Sequence, residues 1–476
     1  MKVLYAASEA LPFKSSGGLA EVAGSLPKAL RRRFVGARVV MPLYDSIAQE
    51  LKDSMKFLSN IVVPVAWRRQ YCGIFEARAN NVIYYLIDNQ YYFKRGSQLY
   101  GHYDDAERFA FFSRAVLEIL PHLGDYKPDV IHCNDWQTAL VPVYQTTLYG
   151  QNEYYQGIKT VFTIHNIEYQ GKYSMDLLQD VFGLSPHHAS LVEHDGCVNL
   201  MKGAVECADA VTTVSPTYAA EILTPYYAHG LDSILGKRGY KLTGILNGID
   251  AESYNPATDP DIPAHFSADS LSGKAICKAA LQKALGLEQN AGAPLIGIVS
   301  RLATHKGIDL IMAKLDELLA SSNAQLALLG SGEHTYENYF RGLAARFPGR
   351  AGVRIDFIPA LARLIYAGSD LFLMPSKSEP CGLSQMIALR YGSIPVVRET
   401  GGLKDTIQDS GLGTGNGFSF HDYNADELLR TLHRALQGYR DKDGWRVLVK
   451  RAMACDDSWG NSANEYIKLY KSLVNA

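Results

Sequence analysis

The 476-residue sequence has little excess charge, few tryptophans and no long apolar run. No stretch approaches the roughly 18 consecutive apolar residues of a membrane-spanning helix, so no membrane partner is expected. Lys and Arg number 47 against 49 Asp and Glu, a formal charge of −2. That balance gives no sign of a polyanion such as nucleic acid as the general partner, and any phosphate must be held by a few placed cations. The seven cysteines, Cys72, Cys133, Cys197, Cys207, Cys277, Cys381 and Cys455, are odd in number and form no CxxC pair. A disulfide framework is therefore not expected, and a reduced, cytoplasmic chain is. The opening MKVLYAASE is too short for a signal-peptide core and reads as a first strand. A P-loop is missing, and Gly330-Ser331-Gly332 lacks the third glycine of a dinucleotide loop.

Metal patterns are equally thin. DPD at 259–261 and DKD at 441–443 have the shape of a metal–diphosphate motif, but one lies in a Pro-rich loop and the other between helices. His187, His188 and His194 crowd one helical region without a third-ligand spacing and read as structural or surface residues. No metal and no cofactor are expected.

What the sequence does have is alternation. Strand-like runs at 3–8, 37–42, 129–133, 160–165 and 210–215 are separated by helical patterns at 18–34, 137–149 and 186–208. This is the mark of a parallel sheet covered on both faces. Between 61 and 93 three strand-like runs follow one another without a helix and predict an antiparallel insertion. After a Pro-, Asp- and Ser-rich loop at 255–270 a second series begins, with strands at 295–300, 326–330, 353–358, 371–376 and 394–399. Two such series predict two Rossmann-like, doubly wound α/β domains facing a central cleft, with ligands beyond the carboxyl ends of the strands. The boundary falls at LNGID, giving domains 1–246 and 247–456. The sequence alone leaves open which of them carries the last helix. SGGLAEV at 16–22 and TGGLKDT at 400–406 each place Gly-Gly-Leu where a helix begins. They are either two similar turns or two helix N-termini aimed at an anion.

Four segments sit at strand ends: SSGGL (15–19), HNIEYQG (165–171), SRLATHKG (300–307) and SEPCGL (378–383). Arg301 and Lys306 follow one strand across a turn, and a guanidinium with an ammonium suits a diphosphate. Solvated surface cations would read the same way. Glu379 stands between a strand and a helix opening at Gly382-Leu383, where it faces a reacting sugar or merely complements a helix dipole. His165 and Asp135 end strands, and each also fits a packed structural role.

These segments, with SEALPF, HCNDWQTAL, VTTVSPTYAAEI, LNGID, IYAGSDLFLMPSKSEPCGLSQMIALRYGSIPVVRETGGLKDT and DDSWGNSANEYIKLY, resemble the bacterial glycogen synthases and the plant starch synthases. The resemblance runs in order along the whole chain. It implies a retaining glycosyltransferase of the GT-B arrangement that moves glucose from ADP-glucose to the non-reducing end of an α-1,4-glucan without a metal. In the family the last helix, here 457–476, returns to the N-terminal domain. Glu379 is implied as the catalytic carboxylate, with Arg301 and Lys306 on the diphosphate. Cys381, Gly382, Leu383, Thr400, Gly401 and Gly402 are implied as the backbone cradle, and Gly17, Gly18 and Glu21 as its counterpart in the first domain. His165 is implied on the glucose, Asp135 on the acceptor side, Tyr366 by the adenine and Asn247 at the sugar end. The chain departs from the family's Lys-Thr-Gly-Gly-Leu, with Ser15 in place and Lys14 one residue early, and has Glu21 where Asp is common. His305 stands where the family usually has another polar residue. The alternatives are a UDP-glucose-using relative and a catalytically weak glucan-binding one. Oligomeric state is not legible.

Overall fold

The computed structural model describes residues 1–475, which fall into two compact units. One comprises Met1–Asn247 with the chain from Trp459 on, and the other Gly248–Ser458.

The first unit holds β1 (Lys2–Ala6), β2 (Gly36–Pro42), β3 (Lys56–Val65), β4 (Arg68–Ala79), β5 (Val82–Asp88), β6 (Val130–Asn134), β7 (Lys159–Ile164), β8 (Lys172–Ser174), β9 (Glu193–His194), β10 (Cys197–Asn199), β11 (Ala210–Thr213) and β12 (Leu242–Gly244). Nine of them form a sheet of order β12-β11-β7-β6-β1-β2-β5-β4-β3. The pairs from β12 to β5 are parallel, while β4 and β3 add antiparallel at the edge. The apolar runs VLYA and VIHCN are buried on both faces, as a helix-covered parallel strand requires. Chain order reverses between β1 and β6, so their carboxyl ends flank the topological switch point, where open α/β sheets bind ligands.

The stretch 186–208 is not the run of long helical segments that the sequence suggests. A 3₁₀ turn (Pro186–His188) and a four-residue helix (Ala189–Val192) lead into β9 and β10, which pair with β8 in a small antiparallel sheet. Gly196 at φ +74° and Asp195 at φ +52° make the reversal that ends the helical pattern. The longer helix of the stretch is Leu200–Cys207, begun by Asn199, whose side chain accepts from the Lys202 N–H. His187, His188 and His194 therefore lie on a turn and a strand rather than in one helical region. The helix Trp459–Val474 packs in this unit: the Tyr470 hydroxyl meets His132 Nδ1 at 2.6 Å, and Arg33 Nε donates to Asn464 at 2.8 Å.

The second unit has β13 (Leu295–Val299), β14 (Gln325–Leu329), β15 (Ala351–Arg354), β16 (Leu371–Met374), β17 (Ile394–Arg398) and β18 (Phe418–Phe420), all parallel, in the order β15-β14-β13-β16-β17-β18. Its switch point lies between β13 and β16. The DPD loop is a brace here. Asp259 is buried, accepts from Arg363 Nη1 at 3.0 Å and from the Tyr391 hydroxyl, and is thus spoken for. β15 begins and ends earlier than the 353–358 pattern, because its pairing with β14 starts at buried Ala351 and stops at Arg354.

Candidate active site

Glu379 lies five residues beyond β16, yet only 6% of its surface is exposed. Lys306, beyond β13, donates from Nζ to both carboxylate oxygens, at 2.9 and 2.7 Å, and Ser376 Oγ donates to Oε2 at 2.9 Å. A carboxylate this buried must be paired, and here an ammonium does it. Two of the three ammonium hydrogens are used, and one is left for a further acceptor. Arg301 is exposed, and among the described residues no partner is shown for its guanidinium. Two cations thus stand at the tip of β13, one holding the acid of β16 and one open to an anion.

Close backbone approach fixes this cluster. A Cβ on Gly307 (φ +72°) would collide with the Pro375 carbonyl oxygen, and the Lys377 N–H donates to the His305 carbonyl at 2.9 Å. The loop after β13 is therefore pressed onto the loop after β16. Gly401, at φ +45°, lies so near the Glu379 carbonyl oxygen that a side chain would overlap it, and the Gly402 N–H donates to the same oxygen at 3.2 Å. Gln385 Nε2 donates to the Cys381 and Gly382 carbonyls at 3.0 and 2.9 Å. Gly382 has φ +69°, Leu383 precedes the helix Ser384–Arg390, and buried Thr400 precedes the helix Gly401–Thr406. Tyr366 is 5% exposed, rings with Phe372 and Tyr391, and donates to Ser384 Oγ at 3.0 Å.

The first unit brings a second cluster together. His165 follows β7 and Asp135 follows β6. The His165 N–H donates to Asp135 Oδ1 at 2.8 Å, and His165 Nε2 meets Asn134 Oδ1 at 2.8 Å. Asp135 has φ +53° and ψ −179°, a conformation rarely adopted outside glycine, held by its N–H to the Thr163 carbonyl at 3.0 Å. Such strain, of order 1–3 kcal/mol, gathers at functional sites. Burial pushes the Asp135 carboxyl up to about 7 and pulls the His165 imidazole down to about 3. Glu9, beyond β1, was not among the residues the sequence singled out. It is 3% exposed, accepts from the Ser16 N–H, and burial pushes it up to about 7. Reading β1 by the same strand-end rule as β6 and β7 finds it.

Gly17 and Gly18 are exposed with open space around them, and Gly17 precedes the helix Gly18–Arg31, whose first turn holds Glu21. Asn247 is 5% exposed. Its N–H donates to the Val214 carbonyl at 3.2 Å, while its side-chain Oδ1 is buried without a partner. Arg301, Lys306, Glu379, Tyr366 and the 381–383 and 400–402 turns thus belong to the second unit. Asp135, His165, Asn247, Gly17, Gly18 and Glu21 belong to the first. No helix among the described residues is long and apolar enough to cross a membrane.

Residues 2–237 match the family described as starch synthase catalytic domain, and residues 286–446 match glycosyl transferases group 1. The glycogen synthase of Geobacillus thermodenitrificans is 52% identical over 478 residues, covering 100% of this chain and 98% of the relative. That of Clostridium perfringens is 49% identical with the same coverage. The solved catalytic domain of starch synthase IV from Arabidopsis thaliana, bound to ADP and acarbose, superposes with a TM-score of 0.93 at 38% identity, covering 100% of this chain and 99% of that one. With two parallel α/β units, an acid–ammonium pair at one switch point and full-length identity near one half, the chain belongs to the glycogen and starch synthase family of GT-B glycosyltransferases.

Proposed function

We propose that the chain transfers glucose from ADP-glucose to the non-reducing end of an α-1,4-glucan with retention of configuration, in the cytoplasm. The Lys306–Glu379 pair beside the open Arg301 carries this reading. Breaking the bond from the anomeric carbon to the diphosphate leaves positive charge on the sugar and negative charge on ADP. Glu379 stabilises the first. Arg301 and the third hydrogen of Lys306 stabilise the second, so one ammonium bridges acid and leaving group. Groups held in place before reaction are each worth about 3–4 kcal/mol. The amides around Gly382-Leu383 and Gly401-Gly402 complete the cradle, and Tyr366 marks the adenine end. His165 and Asn247 serve the glucose, Asp135 the acceptor, and Gly17, Gly18 and Glu21 the phosphate side of the first unit. Charge neutralisation is assigned to these side chains rather than to a metal.

Radiolabelled glucose offered as ADP-glucose or as UDP-glucose, with glycogen primer, tests the reading. Label should enter glycogen from ADP-glucose at least about tenfold faster. Faster incorporation from UDP-glucose would reverse the donor assignment.

A further inference from the structure

Asn134 closes β6 and is fully buried. Its Nδ2 donates to the carbonyl oxygens of Ala6 at 3.0 Å and His132 at 3.2 Å. Both partners only accept, so the amide cannot be turned round, and Oδ1 is an acceptor. Two groups reach that oxygen, the Tyr5 hydroxyl at 2.8 Å and His165 Nε2 at 2.8 Å. Both must donate, so the ring nitrogen that meets Oδ1 must carry its hydrogen.

We infer that Asn134 locks His165 in the Nε2–H tautomer, making Nδ1 a hydrogen-bond acceptor for a sugar hydroxyl, and that Asn134 is therefore a positioning residue for the transfer. The ligand half of this inference rests on the sugar-side role proposed for His165. No partner is shown for Nδ1 among the described residues. Burial keeps the ring neutral and Tyr5 protonated, so neither donor changes character near neutral pH. The backbone of His165 is pinned as well, through its N–H to Asp135. An unprotonated Nδ1 accepts from a hydroxyl and repels an acceptor-only substituent. A site built to pair one hydroxyl discriminates strongly against its loss.

The test begins with the unmodified chain labelled with ¹⁵N-histidine. Long-range ¹H–¹⁵N correlation at pH 7 reads each ring, and the His165→Gln spectrum identifies the signal of His165. The expected pattern is a protonated Nε2 and a bare Nδ1. A protonated Nδ1, alone or in an imidazolium, would overturn the inference. Asn134→Ala, checked for folding by its melt, should give mixed tautomers for His165; an unchanged spectrum would remove Asn134 from the assignment. Binding of ADP-glucose analogues bearing fluorine in place of single hydroxyls provides the ligand arm. At one ring position fluorine should weaken binding at least about tenfold, and Asn134→Ala should shrink that penalty. Equal affinity for every analogue would contradict the acceptor role. Failure of ADP-glucose itself to bind would instead defeat the functional reading and leave the tautomer result standing.

Discussion

Lys306 gives two hydrogens to Glu379 and keeps one, and Arg301 keeps its whole fork. Charge-assisted hydrogen bonds are worth about 1.5–3 kcal/mol each. Arg301→Ala and Lys306→Ala should therefore each weaken ADP binding by about 10- to 100-fold, read by calorimetry. Unchanged affinity in both would remove the diphosphate from this corner. Asp135 yields a pH prediction. Its folded value near 7 stands above the ordinary carboxyl value near 4, so the folded chain holds the proton more firmly. That contribution is complete below about pH 4 and is lost as pH rises through about 7. Asp135→Asn removes it, so the melting temperature of the parent minus that of the variant should fall between pH 5 and pH 8. A difference that stays flat would contradict the raised value. At this scale the sequence shows residue type and strand-end position, which is enough to single out Glu379, Lys306, Asp135 and His165. It does not show pairing. That Lys306 grips Glu379 depends on two loops 73 residues apart meeting, and no local pattern encodes it.

The elements explain why those loops hold still. Gly401 begins its helix at a left-handed φ against the Glu379 carbonyl, and Gly307 does the same against Pro375. A side chain at φ > 0 costs about 1–2 kcal/mol before any collision. Displacing a positioned acid by about 1 Å costs about 100-fold in rate. Gly401→Ala should thus lower the melting temperature and cut turnover at least about tenfold. A variant with parental turnover would show that the Gly-Gly turn does not position Glu379. Short strands with continuous apolar runs, such as those at β1, β6, β13 and β16, were plain in the sequence because both faces are buried. The stretch 186–208 was not, since short apolar runs fit helix and strand alike and the deciding event is the reversal at Asp195-Gly196. The three-residue strands β12 and β18 are too short to show a period.

For the whole molecule, two independent series of β and α elements each end in a switch point, and each switch point carries a cluster of chemically capable groups. The first offers Glu9, Asp135 and His165, two carboxyls tuned near neutrality and a neutral imidazole. The second offers an acid neutralised by a cation, with a second cation spare. This division suits a reaction with two substrates of different character, one a neutral glucan and one a charged nucleotide sugar. In the proposed function Glu379 serves bond-breaking rather than donor capture. The direct measurement is incorporation of labelled glucose from ADP-glucose into glycogen by the parent chain and by Glu379→Gln, alongside the ADP dissociation constant of each. Turnover should fall at least about 100-fold while ADP affinity stays within a few-fold. Near-parental turnover in the glutamine variant would contradict the account.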